Sequence, residues 1–199
     1  MIGPFDADDA ATPLMPAERD GLIPTHITLR SELNELEQQN IAEADRWAFS
    51  RQHKILREPF LRNLHRRMFN RVWRWAGKYR ASERNLGIES YRVEPELRQI
   101  IDDAQYWIDH QSYPTDEAAV RFHHRLVVVH PFPNGNGRWS RLAGDLLGDR
   151  EGRDNRVVFC ASGRQDARHA QLMLQRLLVE FASFGQVIPE VRNQRVVPS

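Results

Sequence analysis

The stretch HPFPNGNGRWSR, residues 130–141, places a histidine before a proline, glycines on both sides of an asparagine, and two arginines three residues apart. Pro131 disfavours helical geometry in the residue before it, so a helix arriving from the N-terminal side must end at or before His130. Gly135 and Gly137 let the main chain turn its N–H groups inward before a new helix begins near Asn136. Uncovered N–H groups and the positive end of that helix make an anion nest suited to phosphate. Arg138 lies at the nest, and Arg141 projects from a neighbouring position on the same helix. Two guanidinium forks suit a polyphosphate better than a single carboxylate. A neutral imidazole at the lip, His130, can take a proton from an attacking hydroxyl. The chemistry this pattern points to is nucleotidyl or phosphoryl transfer.

Outward from this stretch the pattern is helical. Apolar residues recur from about Thr28 to Ser50 (Leu29, Leu33, Leu36, Ile41, Ala44, Trp47), with a break expected near Asn40. Glu58-Pro59 starts a second helix, whose stripe of Phe60, Leu64, Met68, Val72 and Ala76 predicts a run to a C-cap at Gly77. The arginines at 62, 66, 67, 71 and 74 mostly take the opposite face, so the basic, aromatic stretch 62–80 reads as a packed amphipathic helix rather than a DNA-binding module. Pro95 opens a third helix, Pro114-Thr115 caps a fourth that ends at His130, and a fifth runs from Asn136 to Gly148-Asp149. A last helix is expected over 165–183, and a short hairpin over 79–92. The fold class is all-α.

The 199 residues carry a net charge of +1 and one cysteine, Cys160. No overall field argues for nucleic acid, no intramolecular disulfide can form, and no apolar run approaches the roughly 20 residues of a membrane span. The acidic, proline-broken start does not read as a signal peptide, so a cytoplasmic location is expected.

HPFPNGNGRWSR is similar to the Fic-family signature, HPF, any residue, Asp or Glu, GNGR, any two residues, Arg; eight of its nine specified positions are present. LHRRMFNRVWRWAGKYR, residues 64–80, resembles the family segment between a core helix and the flap, and GLIPTHITLRSELNELEQQNI, residues 21–41, looks like the subfamily called mobile mystery protein B. The resemblance implies a Fic-type helical domain over 55–185, with an N-terminal helical arm over 1–54, a C-terminal tail over 186–199 and a β-hairpin flap. It implies AMP transfer from ATP to a Ser, Thr or Tyr hydroxyl of a target protein. His130 would be the base, Phe132 the loop anchor, and Gly135, Asn136 and Gly137 the cradle of the α- and β-phosphates. Arg138 would hold the distal phosphates and Arg141 the γ-phosphate, while the flap residues Leu86, Gly87 and Ile88 would receive the target by strand addition.

Asn134 stands where the family has its acidic Mg²⁺ ligand. A neutral amide oxygen binds Mg²⁺ less strongly than a carboxylate. Doc-like phosphoryl transfer and a catalytically weak nucleotide-binding regulator are therefore the alternative readings. The family's inhibitory helix has Ser or Thr, three residues, Glu, then Gly or Asn. Ser31 with Glu35, and Thr28 with Glu32, share the spacing, though leucine follows each glutamate. Such a glutamate would pair with Arg141; without it, a separate antitoxin or regulatory partner would control the protein. No membrane partner is expected.

Overall fold

The computed structural model describes residues 20–27, 29–84 and 86–151. Its elements are α1 (Arg30–Phe49), α2 (Glu58–Phe69), a 3-10 turn (Ser90–Arg92), α3 (Val93–Asp109), α4 (Thr115–Val129) and α5 (Asn136–Glu151). The helix expected over 165–183, Cys160, Thr28 and the tail lie outside the described residues. The most extensive pairings are α4 with α5, α1 with α2, and α3 with α4. Among the described residues no helix is long and apolar enough to cross a membrane.

Helix α2 shows why the fold closes around the signature stretch. Pro59 sits in its first turn, and Leu61, Leu64, His65, Met68 and Phe69 are buried along one face. This face meets Phe132 and Trp139, both fully buried, and the Trp139 indole N–H donates to the Leu61 carbonyl at 2.9 Å. A buried indole contributes large apolar area and has its one polar atom satisfied here. The basic side chains are engaged as well: the Arg67 guanidinium on α2 lies 4.1 Å from the Trp47 ring centre, and Arg71, in the turn after the helix, pairs with Glu43 at 2.7 Å.

The structure departs from the sequence expectations in three places. Helix α1 runs through Asn40 without a break. The Asn40 side chain is buried, donates to the Arg67 carbonyl at 2.7 Å and accepts from the Arg71 N–H at 3.0 Å. Helix α2 stops at Phe69 instead of reaching Gly77. Main-chain groups beyond it are taken by other partners: Ile23 N–H donates to the Val72 carbonyl and Arg74 N–H to the Gly21 carbonyl, both at 2.8 Å. The apolar stripe continues through Val72, Trp73 and Ala76, but as turns rather than helix. Finally, the described residues of the flap form no β-hairpin. Among the described residues the sole β-type pairing is one isolated bridge between Leu22 and Trp73.

Candidate active site

Helix α4 ends at His130, whose φ of 51° and ψ of 59° are left-handed. For a residue with a Cβ this conformation costs about 1–2 kcal/mol, so the surroundings must hold it. Its ring is half-buried. Burial is the main cause that pushes its pKa below the usual value, and the charges of Arg80 and Arg84 add to it; a hydrogen bond to the Val127 main chain opposes them. His130 is therefore neutral near pH 7, as a base must be.

The loop after it is tied to itself. The buried Asn136 side chain accepts from Phe132 N–H at 2.9 Å and donates to the Phe132 carbonyl at 2.8 Å. Its side chain is thus spent on fixing the loop, so what Asn136 can offer an anion is its main-chain N–H. Gly135 has a φ of +77°, and a Cβ there would lie 2.4 Å from the Phe69 ring, so no other residue fits. Gly137 differs: a Cβ would meet nothing nearer than the Arg141 guanidinium at 3.9 Å. Its missing side chain leaves the start of α5 uncovered. The first main-chain N–H groups of that helix have no partners within it, and no acidic residue lies in its first turn. Arg141 is exposed, with Nε donating to the Gly137 carbonyl at 3.0 Å. Anion binding at this helix start is what the arrangement favours.

Asn134 uses its side-chain oxygen locally, accepting from Gly135 N–H at 2.6 Å. Among the described residues, no three His, Cys, Asp or Glu side chains cluster to hold a metal. Mg²⁺ prefers one or two carboxylates plus substrate phosphates in an octahedral shell. One neutral amide oxygen already engaged in a hydrogen bond does not fit a resident Mg²⁺ site.

Two functional residues escaped the sequence reading. His65 is fully buried and stacked on Phe132 with ring centres 3.7 Å apart. Its Nδ1 accepts from Gly77 N–H at 3.0 Å, so the proton resides on Nε2, which donates to the Asn134 carbonyl at 3.0 Å. Burial, the largest cause, pushes its pKa down to about 3, and the Arg138 charge adds to it while the bond to Asn134 opposes both. A neutral imidazole thereby fastens the signature loop to α2. The signal in the sequence was a histidine on the apolar stripe, between Leu64 and Met68.

The second is Glu37. It is buried, accepts from the Trp73 indole N–H at 2.6 Å, and pairs with the Arg138 guanidinium at 2.8 Å. The glutamates singled out from the sequence are placed otherwise. Glu32 accepts from Leu29 N–H at 3.3 Å at the start of α1, and the exposed Glu35 accepts from the Gln39 side chain at 3.5 Å. Ser31 is exposed one turn before Glu35. Glu37 is a carboxylate that reaches a signature arginine, and that arginine is Arg138. Leu33, Glu37, Asn40, Ala44 and Ala48 form the buried face of α1, so a glutamate in that row was the signal. In the flap, Leu86 and Gly87 are exposed and Ile88 is partly buried.

A helical domain with a histidine-ended helix, a self-tied glycine loop and an arginine-bearing helix start defines the Fic class of fold. Residues 55–147 match the model of the Fic/DOC family. The chain is similar to protein adenylyltransferase fic-1 of Caenorhabditis briggsae, 34% identical over 108 residues, covering 52% of this chain and 21% of that protein. It thus spans about a fifth of the length of the curated relatives it matches. Among solved structures, the N-terminal Fic domain of a VirB-translocated Bep effector protein from Bartonella quintana superposes with a TM-score of 0.62 at 17% identity, covering 83% of this chain and 98% of that one. BepC of Bartonella tribocorum, solved with bound AMPPNP, gives 0.55 at 20% identity, covering 69% and 80%. At these identities the structural likeness concerns the fold.

Proposed function

We propose that this chain transfers AMP from ATP to a Ser, Thr or Tyr hydroxyl of a target protein. The observation that carries the reading is the pairing of a neutral, half-buried His130 with the uncovered start of α5 and its two arginines. The curated relatives named protein adenylyltransferase support it, as does the AMPPNP bound to BepC. In this reading the hydroxyl loses its proton to the His130 imidazole while its oxygen attacks the α-phosphorus, and the bond to the leaving pyrophosphate breaks. The N–H groups of Asn136, Gly137 and Arg138 hold phosphate oxygens, with Arg138 and Arg141 on the distal charge. Mg²⁺ would arrive with the nucleotide, since the described residues of the signature loop offer it the Asn134 amide and no carboxylate. The chemistry belongs in the cytoplasm, where ATP is supplied. The likeness to mobile mystery protein B rests on residues 21–41.

The Glu37–Arg138 pair supports an internal brake in place of the Glu35 or Glu32 contact with Arg141. A guanidinium held by a buried carboxylate is not open to a phosphate. With Glu37 in place, a separate antitoxin is not required for restraint, though a partner that draws α1 away would release it.

Asn134 gives a specific ground for a second reading, Doc-like phosphoryl transfer. Incubation with ATP labelled at the α- or the γ-phosphate, with Mg²⁺ or Mn²⁺, separates the two. Protein-bound α-label is expected; γ-label alone would favour phosphoryl transfer, and nucleotide binding without label would favour a regulator. Asn134→Asp is expected to tighten Mg²⁺ dependence about tenfold, since a full charge replaces a dipole. A metal titration of both forms checks it.

A further inference from the structure

The described residues of the loop between Ala81 and Glu89 have no strand pairing, so their main-chain groups need partners from elsewhere. One buried guanidinium provides several. The Arg80 side chain has no solvent exposure. Its Nε donates to the His130 carbonyl at 2.7 Å, Nη1 to the Ser82 carbonyl at 3.0 Å, and Nη2 to the Ile88 carbonyl and, at 3.5 Å, to the Val129 carbonyl. The Arg80 main-chain N–H donates to the Pro131 carbonyl at 2.9 Å. Three consecutive carbonyls, at 129, 130 and 131, thus meet one residue, and the same fork gathers both ends of the 82–88 loop.

This addresses two physical needs together. Carbonyls at the end of α4 have no partners within the helix, and a cation at the negative end of the helix dipole is favoured. His130 also holds a left-handed conformation that must be imposed from outside. A planar fork with five donors can serve diverging carbonyls; an ammonium on a flexible stem cannot reproduce that. The loop approaches from the other side as well. Gly87 has a φ of +96°, and a Cβ on it would lie 2.6 Å from the His130 Cβ and 3.1 Å from Arg80 Nη2.

We infer that Arg80 is a positioning residue, which locks His130 in its left-handed turn and ties the 82–88 loop to it, so that the base and the loop beside it behave as one rigid unit. The inference rests on the reading of His130 as the base. The flap is then a fixed rail, because displacing it would strip a buried guanidinium of partners on both sides. The charge has a second effect. The charged groups acting on the His130 ring are Arg80 and Arg84, both from the flap side, while α4 contributes the uncharged Val127 main chain. Removing the Arg80 charge raises the His130 pKa, which moves the acid limb of the rate profile to higher pH.

The test uses the full chain with Arg80→Lys, Arg80→Gln and Gly87→Ala. Measured are AMP-transfer kcat, ATP affinity, the His130 imidazole titration by NMR, and hydrogen exchange of the 82–90 amides. Both Arg80 variants are expected to lose about 10²-fold in kcat with ATP affinity little changed, since a small displacement of a reacting group costs that much. Exchange over 82–90 should rise in both, and only Arg80→Gln should raise the His130 pKa. Gly87→Ala should lower kcat with Arg80 in place. Unchanged exchange and kcat in the Arg80 variants, or an equal loss of ATP affinity and kcat, would overturn the inference. Should the Arg80 variants not fold, Gly87→Ala decides: normal turnover with an unmoved His130 pKa rejects it. If the parent transfers no AMP, the functional reading falls, while exchange and imidazole titration still decide the positioning role.

Discussion

Two regions converge on Arg138: the loop 131–136 that precedes it, and the face of α1 that meets its side chain. The loop is held many times over. Asn136 bonds both main-chain groups of Phe132, His65 holds the Asn134 carbonyl, and Gly135 lies against Phe69. The α1 contact with Arg138 is a single ion pair, Glu37 to a guanidinium that is still 36% exposed. The loop geometry is over-determined, whereas the contact proposed as a reversible brake has one ion pair to Arg138. The partly exposed Arg138 can regain water when the pair opens, but the buried Glu37 carboxylate cannot unless α1 shifts, so release calls for a movement of α1.

The largest expected effect lies on the loop side. His130→Ala should lower transfer by about 10²–10⁴-fold, the usual worth of a general base. ATP affinity, measured by titration calorimetry, should change little, because other residues form the phosphate cradle. Equal losses in both would place His130 in nucleotide binding instead.

On the α1 side, Glu37→Gln keeps an acceptor for the Trp73 indole but gives up the charge that holds Arg138. Nucleotide affinity and automodification with α-labelled ATP should rise about 5–150-fold, the range of ordinary coupling energies. Glu35→Gln should match the parent. A response to Glu35 with none to Glu37 would return the brake to the position that the Ser31 spacing suggested.

The smallest effect sharpens the contrast through pH. His65 titrates at about 3 when folded and near 6.5 when unfolded, so below the unfolded value the unfolded chain binds the extra proton. Stability from this group is present above pH 6.5 and is lost as pH falls toward 3. Between pH 6.5 and 5 the loss is about 2 kcal/mol, at 1.36 kcal/mol per unit. Denaturant melts of the parent and His65→Gln should show a shallower pH slope in the variant. Since the pKa of His123 is also lowered, to about 4, the parent slope will exceed the His65 share. Parallel slopes would show that His65 does not remain neutral in the fold.

The sequence by itself determined the local frame of the site. Pro131 forces α4 to end at His130, Gly135 permits the turn, and the start of α5 follows, because each depends on main-chain preferences within a few residues. Helices α3 and α4 were legible for the same reason, from proline starts and apolar periodicity. Tertiary structure alone decided the rest. Helix α2 stops at Phe69 because Asn40 and residues 21–23 take the main-chain groups that follow. The expected hairpin is replaced by a loop gathered on Arg80, whose partners come from the loop itself and from the end of α4, fifty residues further along the chain. Glu37 reaches Arg138 across about a hundred residues of chain. Spacing along a helix reports which residues share a face, but which groups meet across two faces is set by how the helices pack.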